Sequence, residues 1–74
     1  MTRYYFDLSD GGWEPDTEGT ELADEHAARR EAIRFAGEVL RNEPHRLDRG
    51  PMRIDVHDQA LLVRFKVEIG VQPY

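Results

Sequence analysis

One segment, from Asp24 to about Asn42, constrains the fold of this chain more than any other, because it alone is long and periodic enough to predict a helix. At 100° per residue its apolar side chains fall on one arc, which only Arg29 interrupts. The arc consists of Ala28, Ala32, Ile33, Phe35, Ala36, Val39 and Leu40. The pattern therefore predicts an amphipathic helix whose small alanines allow a close approach to an apolar surface.

The ends of this helix carry capping signals. Asp24 can accept amide hydrogens of the first turn as the N-cap, and Glu25 adds negative charge where the helix dipole favours it. Pro44 disfavours helical geometry at the residue before it, so the helix should end by about Asn42. Residues 43–51 are expected to be a polar connection.

Alternation of apolar and polar residues predicts strands on both sides of the helix. Residues 3–8 read as a half-buried strand, and residues 52–57 and 61–69 read as the two strands of a hairpin. Pro15 cannot donate to a strand ladder, so only a short, irregular second strand is expected near residues 18–22.

The hairpin loop must hold an even number of residues if its apolar side chains are to share one face. Three loops satisfy this condition: Asp58–Gln59, Gln59–Ala60, or residues 58–61. A three-residue loop would place Ile54 opposite Arg64, and we reject it.

These elements predict an α+β fold in the order ββαββ, with the helix packed on one face of an antiparallel sheet and residues 1–74 forming a single domain. Phe35 should lie beneath the helix against Phe6, Ile54 and Phe65. Its replacement by alanine would then cost about 3 to 5 kcal/mol.

Size and composition limit how such a domain can be stabilised. A chain of 74 residues buries roughly 60% of its unfolded surface, and it has no cysteine for a disulfide or a thiolate metal site. Oligomerisation is the usual remedy. No apolar run is long enough to span a bilayer, and the N-terminus lacks the features of a signal peptide, so a soluble cytoplasmic protein is expected.

Several of these segments together resemble a known family. They are the opening RYYFDL, the DGG turn, PDTEG, the helix AARREAIRFAGEVL and the closing IDVHD. The chain resembles a group of small bacterial proteins classified as a domain of unknown function, whose members open with Met-x-Arg-Tyr-Tyr-Phe. The resemblance covers about residues 2–66 and implies a fold and a bacterial source, but no activity.

The first 40 residues also bear a looser resemblance to HicB-like antitoxins. Those proteins similarly pair a strand containing two tyrosines and a glycine-containing turn with an alanine-rich helix carrying a Glu-Ala pair, here Glu31 and Ala32. They also have a fuller third strand and often a separate DNA-binding segment, for which this chain has no room.

Chemistry-bearing residues are few. The acidic loop, residues 10–21, fails the calcium-loop pattern because Gly12 replaces a ligand and Pro15 replaces the turn glycine. His57 lies between Asp55 and Asp58 without a third metal ligand at a useful spacing. No catalytic, metal-binding or cofactor-binding set is therefore predicted, and a metal-dependent hydrolase is the weakest of the function classes.

Two features predict an interaction surface. Tyr5, Arg53, Arg64 and Lys66 should share the sheet face away from the helix, while Trp13 is interpreted as a lid over the core rather than an exposed anchor. The pattern predicts that the last strand overhangs its partner from Val67 to Ile69, and its unpaired groups predict a homodimer in which residues 67–74 take part. The surface then comprises Tyr5, Trp13, Arg53, Arg64, Lys66, Val67, Ile69 and Val71.

These residues favour a non-enzymatic protein-interaction module with an unidentified protein partner and no membrane. The alternative is an RNA-binding or HicB-like antitoxin module. Nucleic acid is less expected because Glu31 and Glu38 interrupt the arginines on the outer face of the helix.

Overall fold

Five antiparallel strands and one long helix make up the fold. The computed structural model describes residues 1–74. The elements are β1 (Thr2–Ser9), β2 (Trp13–Glu14), β3 (Thr20–Leu22), α1 (Glu25–Asn42), a 3-10 helix (Pro44–Leu47), β4 (Met52–Asp58) and β5 (Arg64–Ile69). The α+β class and the order ββαββ are confirmed, with the second strand divided into β2 and β3.

Strand β1 lies in the interior of the sheet, whose order is β2-β1-β4-β5. On one side β1 pairs with β4 along most of its length. On the other side it pairs with β3 at its start and with β2 at its end. The single strand predicted near residues 18–22 is therefore β3, and β2 is a separate strand that ends immediately before Pro15.

The carboxylate of Asp16 fills the gap between β2 and β3. Its Oδ2 accepts a hydrogen bond from the backbone N–H of Phe6 at 3.1 Å, in place of a strand neighbour. Its Oδ1 accepts from the backbone N–H groups of Glu18 and Gly19 at 3.1 and 3.0 Å. The Asp16 N–H donates to Asp7 Oδ1 at 2.8 Å. The Asp16 side chain thus closes its own loop and also provides a hydrogen-bond acceptor for the Phe6 N–H, which has no neighbouring strand on that side of β1.

Helix and strands contribute to one hydrophobic cluster. Its buried members are Tyr4, Phe6 and Leu8 of β1, Met52, Ile54 and Val56 of β4, and Ala28, Ala32 and Ala36 of α1. Asp24 is the N-cap, accepting from the Ala27 N–H at 3.0 Å, and α1 ends at Asn42, as predicted.

The helix is rotated relative to the predicted arc. Ile33 was placed on the buried face, but its side chain is 63% exposed. The buried stripe is centred on the alanines, and Phe35, Val39 and Leu40 are only partly buried against the cluster. Ile33 lies at the far edge of the arc, beyond Leu40, and is not among the side chains that form or pack against the hydrophobic cluster.

Strands β4 and β5 pair with Val56 opposite Phe65 and Ile54 opposite Val67. The loop is even in length, as predicted, but it is none of the three loops considered. Asp58 pairs with Val63 through a backbone hydrogen bond of 3.2 Å, so the loop comprises residues 59–62.

Asp58 causes this shift of the loop. Its carbonyl oxygen accepts from the Leu61 N–H at 3.2 Å, and its Oδ1 accepts from the Leu62 N–H at 2.8 Å. Leu61, predicted to begin the strand, instead lies in the turn with a left-handed φ of 60°.

The predicted overhang of the last strand is wrong. Ile69 pairs with Met52, Glu68 with Arg53 and Val67 with Ile54, so β5 is paired over its whole length on the β4 side. The overhang came from counting Leu61 to Val63 as strand residues. What remains free is the opposite edge of β5, along its full length.

Arg46 links the connection after α1 to the acidic loop. This side chain is 14% exposed and forms ion pairs with Asp10, Glu14 and Glu43 at 2.8 to 3.0 Å. The hydrogen bonds that the guanidinium donates to Glu14, and those to Asp10 and Glu43, raise its pKa against the effect of its burial. The polar connection predicted for residues 43–51 thus contains a 3-10 helix that anchors the β1–β2 turn.

Candidate interaction surface

The sheet face turned away from the hydrophobic cluster, here called the open face, presents an ordered array of polar side chains. Because cross-strand partners point to the same side, the register aligns them in rows across β1, β4 and β5. The rows are Tyr5–His57–Arg64, Asp7–Asp55–Lys66 and Ser9–Arg53–Glu68.

Tyr5 and His57 form the aromatic part of the open face. Their rings stack with centroids 5.3 Å apart and an interplanar angle of 17°. His57 Nε2 lies 3.4 Å from Asp7 Oδ2, and Asp7 is one of two charged residues that are buried. The imidazole therefore contacts both the Tyr5 ring and the Asp7 carboxylate.

Asp7 and Asp55 lie directly opposite each other, an arrangement that normally destabilises a sheet. Each carboxylate has its own compensating partner. Asp55 accepts from Arg53 Nε at 3.0 Å, and Asp7 accepts from the Asp16 N–H in addition to its contact with His57. The acids of the central row are consequently engaged within the chain.

Charges on the open face are balanced. Arg3, Arg53, Arg64 and Lys66 are basic, while Asp7, Glu21, Asp55 and Glu68 are acidic. A surface that binds a phosphate backbone carries an excess of basic groups. The open face has no such excess.

Of the residues predicted to form an interaction surface, the structure brings Tyr5, Arg53, Arg64 and Lys66 together on the open face. Trp13 does not act as a lid, because it is 66% exposed and is not among the side chains packed against the hydrophobic cluster. Since Trp13 pairs with Ser9, it belongs to the end of the same face.

The remaining predicted residues lie elsewhere. Val67 and Ile69 point to the side of the hydrophobic cluster and are partly buried there. Val71 follows the end of β5 and is exposed. These three residues therefore belong to the free end of the sheet and not to the open face.

A cleft of about 320 Å³ lies between α1 and the interrupted edge of β1. Phe6, Leu8 and Phe35 give it an apolar floor, and Glu14, Asp16 and Glu31 supply its acidic rim. Each of these acids already has a partner: Arg46, the loop backbone and Arg34, respectively. No group of three or more His, Cys, Asp or Glu side chains has an arrangement that could hold a metal ion.

Four structural side chains were not identified from the sequence: Asp7, Asp16, Arg46 and Asp58. The Asp-x-x-Gly spacing from Asp16 to Gly19 does signal a turn. The second role of Asp16, to accept a hydrogen bond from the Phe6 N–H, depends on a strand ten residues earlier, and nothing in the sequence around Asp16 signals it.

Comparisons with known proteins give the family but no activity. No helix in the fold combines the length and the apolar character needed to cross a membrane. No curated protein and no solved structure matches the chain. A family model described as Domain of unknown function (DUF6894) matches residues 3–70. The chain therefore belongs to the DUF6894 family.

Proposed function

We propose that this protein is a non-enzymatic protein-interaction module of the bacterial cytoplasm. In this proposal it forms a homodimer through the β5 end of its sheet, and the open face remains available to a further protein partner. Bacterial origin rests on the sequence resemblance, and cytoplasmic location rests on the sequence expectation of a chain without a membrane span or signal peptide.

The free edge of β5 is the observation that carries the proposal. Its backbone groups have no neighbour beyond β4, and exposed apolar residues flank it at both ends: Leu61 and Leu62 before the strand, Val71 and Tyr74 after it. An uncovered edge with apolar flanks is a template for pairing with another chain. Strands β2 and β3 at the other side are too short and too interrupted to serve.

Light scattering behind size exclusion tests the dimer. The mean mass should rise from 8.6 kDa towards twice that value as concentration increases. Removal of residues 70–74 should weaken association. Trp13→Ala is the matched control, because this exposed apolar residue lies at the opposite end of the sheet, and it should leave the mass unchanged. A mass of 8.6 kDa at every concentration would reject the dimer.

Binding of single-stranded RNA is the second candidate function, and it includes the antitoxin-like alternative. The stacked rings of Tyr5 and His57 beside Arg64 favour it, because aromatic rings next to basic groups bind unstacked bases. Titration with RNA over a salt series separates the candidates. Affinity that falls steeply with salt and is lost in Tyr5→Ala would favour RNA, whereas the protein-interaction proposal expects no saturable binding.

A further inference from the structure

We propose that the partner at the β5 edge is a second copy of this chain, paired antiparallel along β5 with the two-fold axis at Val67. The inference rests on the homodimer proposed above and specifies its register. It follows from the direction of the free backbone groups, the charge order along β5 and the apolar side chains on the opposite face.

Backbone geometry limits the registers. Asp58 N–H donates to the carbonyl of Val63, and hydrogen-bonded pairs alternate along an antiparallel ladder. Phe65, Val67 and Ile69 therefore direct their backbone groups towards β4. Arg64, Lys66 and Glu68 direct theirs outwards, as alternate residues of an edge strand do. A second β5 must bond to these outward groups, and the same sheet face of both chains must lie on the same side. Both conditions are met only if the two-fold axis passes between a residue and its own copy, and not between two consecutive residues of one strand.

Charge selects among the remaining registers. An axis at Phe65 places Arg64 opposite the partner's Lys66, so that two positive charges meet. An axis at Lys66 places two lysines opposite each other, and an axis at Glu68 places two glutamates opposite each other. An axis at Val67 instead sets Lys66 against the partner's Glu68, and the symmetry repeats this attractive pair. Arg64 then faces the partner's Gly70, so no like charges meet.

The other face of the strand supports the same register. With the axis at Val67, this residue meets its own copy, and Phe65 meets the partner's Ile69. The exposed Val71 reaches the partner's Val63, the half-buried residue before the strand. Apolar side chains that are half-buried or exposed in the single chain thus gain apolar neighbours, as expected for a small domain that lacks burial.

Disulfide cross-linking of single-cysteine variants tests the register directly, because the chain has no cysteine of its own. In the proposed dimer the two Val67 residues form a non-hydrogen-bonded pair with Cα atoms roughly 4.5 Å apart, within the range of a disulfide. Oxidation in a glutathione buffer should therefore convert Val67→Cys to a disulfide-linked dimer. Phe65→Cys and Ile69→Cys should each remain monomeric on a non-reducing gel, yet cross-link when mixed.

Other outcomes overturn the inference in distinguishable ways. Self-linking of Phe65→Cys, or failure of Val67→Cys to link while the unmodified chain still dimerises, rejects the register and leaves the dimer standing. An unmodified chain that stays monomeric rejects the homodimer itself. Melting temperatures of the three variants show whether each is folded.

Charge reversal gives a second test that needs no cysteine. Lys66→Glu and Glu68→Lys should each weaken self-association about tenfold, because each sets like charges against each other twice across the axis. An equimolar mixture of the two should associate again, since both cross-axis pairs then attract. Arg30→Glu, the same charge change on an exposed helical residue, is the control. Failure of the mixture to associate would overturn the register.

Discussion

At the scale of single residues, Asp16 holds together the most irregular part of the fold. Burial alone would raise its pKa, but hydrogen bonds from the backbone N–H groups of Gly19, Phe6 and Glu18 outweigh that effect. The pKa of Asp16 therefore lies below its ordinary value of 3.8. The loop between β2 and β3 depends on this carboxylate in its charged form.

Asp16→Asn should lower the free energy of unfolding by about 1.5 to 3 kcal/mol near neutral pH, the range for hydrogen bonds to a charged group. A carboxyl whose pKa is lowered by folding adds stability above its unfolded-state pKa and loses it as pH falls through the folded-state value. The difference between wild type and variant in urea unfolding should therefore shrink below about pH 3.8. A difference that stays constant down to strongly acidic pH would contradict this role.

Gly19 permits the turn that Asp16 caps. Its φ is +74°, and a Cβ there would lie 2.9 Å from the Arg3 and Tyr5 side chains and 3.0 Å from the Tyr4 carbonyl oxygen. The carbonyl cannot move without disturbing β1, so Gly19→Ala should cost about 1 to 3 kcal/mol. Gly12→Ala, with no neighbour within 4 Å, is the matched control. Equal melting temperatures for the two variants would refute the close approach.

At the scale of elements, the helix exemplifies what periodicity can and cannot predict. Capping and length were readable from Asp24 and Pro44, because these signals are local. The exact rotation was not, because Ile33 and Leu40 lie close together on the helical arc and only the sheet decides which of them is covered.

The sheet shows the same division between local and distant signals. The alternation of apolar and polar residues predicted the strands and a loop of even length. The position of the loop, however, depends on the side chain of Asp58 and on the left-handed conformation of Leu61, and the alternation pattern contains no signal for either. The four surface residues expected on the open face, Tyr5, Arg53, Arg64 and Lys66, do share it, because side chains alternate between the two faces along a strand. The burial of Asp7 and the ion pairs of Arg46 depend on contacts between distant segments and could not be predicted.

The rotation of α1 changes the expected cost of substitutions on it. Phe35 is only partly buried, so Phe35→Ala should cost about 2 kcal/mol and not the 3 to 5 kcal/mol of a fully buried ring. Ile33→Ala, on the exposed side, should change stability by less than about 0.5 kcal/mol. Denaturant unfolding of both variants measures the difference, and a larger loss for Ile33→Ala would show that the helix faces the other way.

At the scale of the whole molecule, the chain has little core: eleven of its residues are buried, and three of those are alanines of α1. A second copy would supply burial that one chain lacks. The melting temperature should therefore rise with protein concentration, because a dimer of folded chains is favoured by mass action. Glu68→Lys should reduce that dependence. A concentration-independent melting temperature in scanning calorimetry would mean that the monomer is stable alone.

The central pairing of β1 with β4 also determines the course of folding. Phe6 and Val56 are neighbours in the sheet, yet the whole of α1 lies between them in the chain. Closing so long a loop carries an entropy cost that only the finished ladder offsets, whereas the β4–β5 hairpin can form locally around Asp58. We therefore expect the hairpin to be formed in the transition state and β1 to complete its pairing afterwards, so that substitutions in β1 mainly accelerate unfolding while those at the hairpin turn slow folding.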